Sequence, residues 1–196
     1  MTDTPAPPRN RTPWIVLSAL VIAWCLYLVF FGPQRGGKLA PPDLKTPVVG
    51  RPADFAWTLK DLDGKSVDFA SYRGKAVFLN LWATWCPPCV AELPSIANLA
   101  RNARLKDVAF VCVTDEDAET VRRFLDQQQL NIPVLLSDGP PPPVFHTEGI
   151  PATFMIDPNG QIVLAEVGSA QWDAPSVVDR LEALAHDVKT ASKTQP

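Results

Sequence analysis

A chain of 196 residues with 46 % hydrophobic residues is long enough for one globular domain plus an appendage. The formal net charge of −3 and the absence of a basic, aromatic-rich patch argue against a nucleic-acid partner. Four cysteines are too few for a disulfide-built scaffold.

Residues 1–13 read as a polar, proline-rich tail. Residues 14–31 (Trp14 to Phe31) then carry neither charge nor proline. At about 1.5 Å per residue this stretch reaches about 27 Å as a helix, enough to cross bilayer hydrocarbon. Trp14 and Tyr27 suit the two interfaces, and no small-residue cleavage site follows, so the segment is expected to be an uncleaved membrane anchor rather than a signal peptide. Arg9 and Arg11 lie before it and Arg35, Lys38 and Lys45 after it, so charge alone leaves the orientation open. Residues 32–45 read as a linker with a reach of about 20 Å.

From residue 46 to 188 strand and helix signals alternate, and 189–196 read as a polar tail. Phe55 to Leu59 and Ser66 to Phe69 are expected strands around an Asp-Gly turn. Ala76 to Leu81 and Val108 to Thr114 are continuous apolar runs, the pattern of strands buried on both faces. Helices are expected over Pro87 to Arg104, with a kink at Pro94, over Ala118 to Gln128, and over Pro175 to Val188. Val134 to Leu136 is a short strand. Thr153 to Ile156 and Ile162 to Val167 flank the turn Asp157-Pro158-Asn159-Gly160. The alternation predicts an α/β sandwich with a mixed sheet.

The chemistry concentrates at Trp85-Cys86-Pro87-Pro88-Cys89, where the strand ending at Leu81 gives way to a helix. Two thiols at this spacing can close a small disulfide ring, and a helix N-terminus favours a thiolate. Pro87 suits the first helical position, which makes Cys86 the N-cap. With Trp85 and the following loop beside it, Cys86 is expected to be exposed and to attack, with a more buried Cys89 resolving the mixed disulfide. A structural zinc site is disfavoured because four ligands are needed and no second cysteine pair is present. No metal or cofactor is called for. Pro88 removes one more N–H that could stabilise the thiolate, which predicts a reductant rather than a strong oxidant.

Glu92, three residues past Cys89, is either a proton acceptor for Cys89 or a solvated helix charge. Asn80 is either a buried hydrogen-bonding residue beneath the cysteines or merely the end of a strand. Pro151, in Gly149-Ile150-Pro151-Ala152, is either a cis-proline lying against Cys86 or an ordinary loop proline. Cys25 and Cys112 read as apolar packing residues.

The series VGRPADFAW, DLDGKSV, YRGKAVFLNLWATWCPPC, AELPSI and GIPATFMIDPNGQIV resembles the TlpA/ResA/DsbE class of membrane-anchored thiol–disulfide oxidoreductases, over about Val49 to Val167. The resemblance implies a thioredoxin-like three-layer sandwich behind one transmembrane helix. It implies Cys86 as nucleophile, Cys89 as resolving thiol and Glu92 as the acidic residue near the site. Pro151 becomes the cis-proline, Asn80 stands where thioredoxins carry a buried aspartate, and Trp85, Pro87, Pro88 and Ile150 shape substrate docking. It further implies protein disulfide substrates, including apocytochromes c, and electrons from a membrane-embedded thiol donor. The redox domain would face the outer side of the bacterial cytoplasmic membrane. An oxidase or isomerase, and a thiol-based metal chaperone or assembly factor, are the alternatives. A peroxidase is disfavoured because Ala83 stands where it needs threonine.

The chain departs from the class at Ser137 to His146. Pro140 to Pro143 favour a polyproline rod over the helix usual there, beside the site. His146 reads as a surface histidine.

Overall fold

The computed structural model describes residues 17, 20–24, 39–44 and 50–191, with side chains through His186. The chain divides into two compact units, Met1–Gly37 and Lys38–Pro196. In the first, residues 17 and 20–24 are helical, and Leu17, Leu20, Val21, Ile22 and Trp24 are exposed. The rest of the expected anchor at 14–31 lies outside the described residues, and among these no helix is long and apolar enough to cross a membrane.

In the second unit one mixed sheet runs β1-β8-β7-β4-β5-β6-β2-β3. Its strands are β1 (Arg51–Pro52), β2 (Thr58–Lys60), β3 (Ser66–Asp68), β4 (Ala76–Leu81), β5 (Val108–Thr114), β6 (Val134–Leu136), β7 (Ala152–Ile156) and β8 (Gln161–Val167). β4, β5 and β6 are parallel, while β7 runs antiparallel to β4 and β8 antiparallel to β7. Every residue of β4 and β7 is buried, as their apolar sequences require. The β7–β8 turn needs glycine at 160: its φ is +79°, and a Cβ there would sit 3.2 Å from the Phe55 ring.

Helices α1 (Pro87–Ala100), α2 (Ala118–Gln128) and α3 (Pro175–Ala191) all send their buried side chains into one core, on one face of the sheet. Leu93 and Ile96 of α1, Val121 and Leu125 of α2, and Val177 and Leu181 of α3 meet Phe78 and Cys112 there. α1 ends at Ala100, short of the expected Arg104. The Asn102 side chain accepts the Arg104 N–H (3.0 Å) and starts a separate 3₁₀ turn, Ala103–Leu105. Pro94 sits inside α1, which continues through it; lacking an N–H, Pro94 leaves the Val90 carbonyl without its helical partner.

The opposite face carries the third layer, and this layer is aromatic rather than helical. Phe55, Trp57, Phe69, Phe145 and Phe154 pack edge-on and stacked, with ring centres 5.2–6.1 Å apart. The proline run is the cause, since a helix cannot form over Pro140 to Pro143. The expected rod is itself shortened: Pro142 keeps an extended backbone (φ −49°, ψ 146°), but Pro143–Phe145 turn into a 3₁₀ helix that drives Phe145 into the core. Ser137 fixes the start of the run, accepting Trp57 Nε1–H (3.2 Å) and donating to the Gly139 carbonyl (2.7 Å). Part of the segment read as a linker lies against the domain: the Ala40 carbonyl accepts the Gln171 N–H at 2.8 Å, and Leu44 packs on the helical core.

Candidate active site

β4 ends at Leu81, and the turn from Trp82 to Trp85 delivers the chain to Cys86, the N-cap of α1. Pro87 and Pro88 occupy the first two helical positions, so the first N–H available there is that of Cys89. It donates to Cys86 Sγ at 3.3 Å. Cys86 and Cys89 form a disulfide, with S–S 2.08 Å and Cα atoms 5.2 Å apart.

A carboxylate clamps the turn: Glu116 accepts the Thr84 N–H and hydroxyl, each at 2.6 Å, and the Thr114 hydroxyl at 3.3 Å. The Ile150–Pro151 peptide is cis, and the Ile150 carbonyl oxygen lies 3.7 Å from Cys86 Sγ, placed to accept a hydrogen bond from the Cys86 thiol once the pair is reduced. The sequence leads one to expect an exposed Cys86. The structure corrects this: Cys86 is 3 % exposed and Cys89 fully buried, because the Ile150–Pro151 turn closes over the sulfur. The exposed neighbour is Trp85, at 69 %.

Behind the disulfide lies a buried polar cluster. Glu92, one turn after Cys89 on α1, is fully buried rather than a solvated charge. Its Oε1 accepts from Asn80 Nδ2 at 2.9 Å, and its Oε2 accepts from Trp172 Nε1 at 2.8 Å and from the Ala170 N–H at 3.1 Å. Burial pushes its pKa up from the ordinary carboxylate value, opposed in part by these three donors. Asn80 is buried in mid-sheet, paired in register with Cys112 on β5 and Thr153 on β7, and Nδ2 also donates to Thr153 Oγ1 at 2.9 Å. Asn80 Oδ1 has no hydrogen-bond partner among the described residues. Burial and the nearby Glu92 charge both raise the pKa of Cys112, so its thiol stays protonated and unreactive.

The structure thus gathers Asn80, Trp85, Cys86, Pro87, Pro88, Cys89, Glu92, Ile150 and Pro151 into one region. Sequence reasoning missed Trp172, Ala170, Thr153 and the Thr84–Glu116 clamp. The signal for Thr153 was its polarity within an apolar strand, the same signal that singled out Asn80. Beside the disulfide a groove of about 430 Å³ is lined by Trp57, Trp82, Trp85, Pro140, Pro141 and Ile150. The proline run is therefore next to the site, as expected. His146 lies on the wall of the same groove.

Residues 37–182 match the Redoxin family model. The thiol-disulfide oxidoreductase ResA of Bacillus thuringiensis (strain Al Hakam) is 31 % identical over 171 residues, covering 82 % of this chain and 90 % of that protein. ResA of Bacillus subtilis (strain 168) is 34 % identical over 115 residues, 58 % of this chain, and the match spans 64 % of that protein's length. Among solved structures, MTB dsbF in its mixed oxidized and reduced forms superimposes with a TM-score of 0.58 at 29 % identity, covering 69 % of this chain and 99 % of that one. With its cysteine pair at a helix N-terminus and its mixed sheet, the chain belongs to the redoxin family, among the TlpA/ResA/DsbE-like thiol–disulfide oxidoreductases of thioredoxin-like fold.

Proposed function

We propose that the protein is a protein-disulfide reductase of the extracytoplasmic face of a bacterial cytoplasmic membrane. In this reading residues 14–31 anchor it, a membrane-embedded thiol donor re-reduces it, and its substrates include apocytochromes c awaiting haem. The observation that carries the direction of electron flow is the sparse donor set at Cys86. Two prolines remove N–H groups from the helix start, leaving the Cys89 N–H at 3.3 Å to stabilise the sulfur. A thiolate with fewer donors is more basic, and the reduced form is less stable and more reducing.

The reaction is a pair of exchanges. Cys86 thiolate attacks one sulfur of the substrate disulfide; the other sulfur leaves with the bonding pair and takes up a proton. Cys89 then loses its proton to Glu92 and attacks Cys86 Sγ. The Cys86–Cys89 bond forms, the mixed disulfide breaks, and the second substrate sulfur leaves as a thiol after protonation. Two electrons have passed from the protein dithiol to the substrate. The groove supports a peptide substrate: its walls are aromatic and proline side chains, and the exposed Trp85 stands at its edge.

The test is the reduction potential of the Cys86–Cys89 pair in thiol redox buffers. A value near ~−270 mV supports a reductase, whereas one near ~−120 mV makes the protein an oxidant and overturns the reading of Pro88.

A further inference from the structure

We propose that Asn80 is a two-state positioning residue, whose carboxamide turns over when Glu92 gains or loses a proton. The inference rests on the reading above only for the source of that proton, Cys89.

The three groups bonded to Glu92 are all N–H donors: Asn80 Nδ2, Trp172 Nε1 and the Ala170 peptide. That set fits a carboxylate. A protonated Glu92 has an O–H to donate, and none of the three accepts it as they stand. Protonation on Oε2 would face two N–H groups that are fixed by the indole ring and the backbone. Protonation on Oε1 faces only the Asn80 carboxamide, which can turn.

The acceptor such a proton needs is already in place. Asn80 Oδ1 is buried and without a partner among the described residues, an arrangement rare for a buried amide oxygen. Nδ2 makes both of the side chain's hydrogen bonds, to Glu92 Oε1 and to Thr153 Oγ1, each at 2.9 Å. A half-turn about χ2 exchanges Oδ1 for Nδ2 in nearly the same volume, along a torsion that is broadly two-fold. Oδ1 then accepts from the Glu92 O–H and from the Thr153 hydroxyl, whose hydrogen rotates to meet it. Two bonds donated by the amide become two bonds accepted by it, so Glu92 keeps the same number of partners in each protonation state, while the unpartnered position passes from Oδ1 to Nδ2.

Other titratable groups do not compete. Cys112, beside Asn80 on β5, is held as a neutral thiol. Cys86 and Cys89 are joined in the disulfide. Glu166, the register partner of Thr153 on β8, is partly exposed, with Asp43 the charge acting on it. In the exchange itself, Cys89–SH and the Glu92 carboxylate become Cys89–S⁻ and the Glu92 acid. The turned Asn80 holds that proton while the Cys89–Cys86 bond forms and the substrate sulfur departs.

The test is NMR on the oxidised 196-residue chain, following the Glu92 carboxyl carbon and the cross-relaxation between the Asn80 amide protons and the Thr153 side chain through a pH titration. The expected result is a contact that is strong when Glu92 is charged and fades with the same midpoint as the Glu92 signal. In Glu92→Gln, whose amide N–H₂ must face Asn80, the faded pattern is expected at every pH. A contact that persists unchanged across the Glu92 titration overturns the proposal, as does a wild-type pattern in Glu92→Gln or a Glu92 that never protonates while the protein stays folded. If the amide turns but disulfide reduction fails, only the proposed function falls. If reduction proceeds and the amide stays fixed, only this inference falls.

Discussion

Replacing Trp172 by Phe separates the electrostatic part of the buried cluster from its packing. Trp172 is fully buried, meets Phe78 edge-on at 5.2 Å, and gives Glu92 Oε2 its 2.8 Å hydrogen bond. Phe keeps most of the ring and loses the N–H. The missing volume costs about 1–2 kcal/mol at any pH. The lost bond depends on pH, being worth about 1.5–3 kcal/mol to a carboxylate and about 0.5–1.5 kcal/mol to a neutral acid. The difference, roughly 1–1.5 kcal/mol, raises the Glu92 pKa further.

The sign follows from linkage. Glu92 is already raised by burial, so the folded protein keeps a proton at pH values where the unfolded chain has released it, and stability falls as pH rises from the unfolded value through the folded one. Raising the folded value further extends that fall. Urea unfolding of the oxidised protein at about pH 4, below the ordinary glutamate pKa, should show the packing cost and the weaker bond. At a pH above both folded values the deficit should grow by about 1–1.5 kcal/mol, with an unchanged m-value. An equal deficit at both pH values would refute the assignment of Glu92 as a raised, indole-bonded carboxyl.

Pro88→Ala returns one N–H to the helix start and should make the pair less reducing by about 20–40 mV, measured in thiol buffers, if the new bond to the thiolate is worth about 1–2 kcal/mol. Cys89→Ala should accumulate a mixed disulfide between Cys86 and a peptide substrate, seen as an adduct by mass spectrometry, while Cys86→Ala gives none. Replacing Pro140 and Pro141 together by Gly should lower kcat/KM for a peptide disulfide about threefold to tenfold, the equivalent of ~0.7–1.4 kcal/mol, and leave exchange with a small dithiol reagent unchanged. Glu116→Ala removes the three hydrogen bonds that clamp Thr84 and Thr114 and should cost about 1.5–3 kcal/mol by chemical unfolding.

What the sequence revealed was local. The runs of β4 and β5 announce buried parallel strands because neither carries a polar face, and Pro87 marks a helix start because its missing N–H would be unpaired there in any case. Asn80 stood out because polarity within such a run has to be satisfied. The partners that satisfy it were not legible. Trp172 lies 80 residues from Glu92 in sequence and Ala170 lies 78, and no spacing rule links a carboxylate on one helix to a turn after the last strand. Cys86 read as exposed for the same reason: its cover, Ile150, arrives 64 residues later. The prolines at 140–143 predicted the loss of a helix correctly, but not that Phe145 would take over that helix's duty of covering the sheet.

The near-burial of Cys86 sets a condition on any client protein. With the pair joined as a disulfide, Cys86 is 3 % exposed beneath the Ile150–Pro151 turn, so a sulfur that exchanges with it has to pass that turn in line with the S–S bond. The barrier set by that turn is one of shape and reach, indifferent to the sequence around the partner's sulfur.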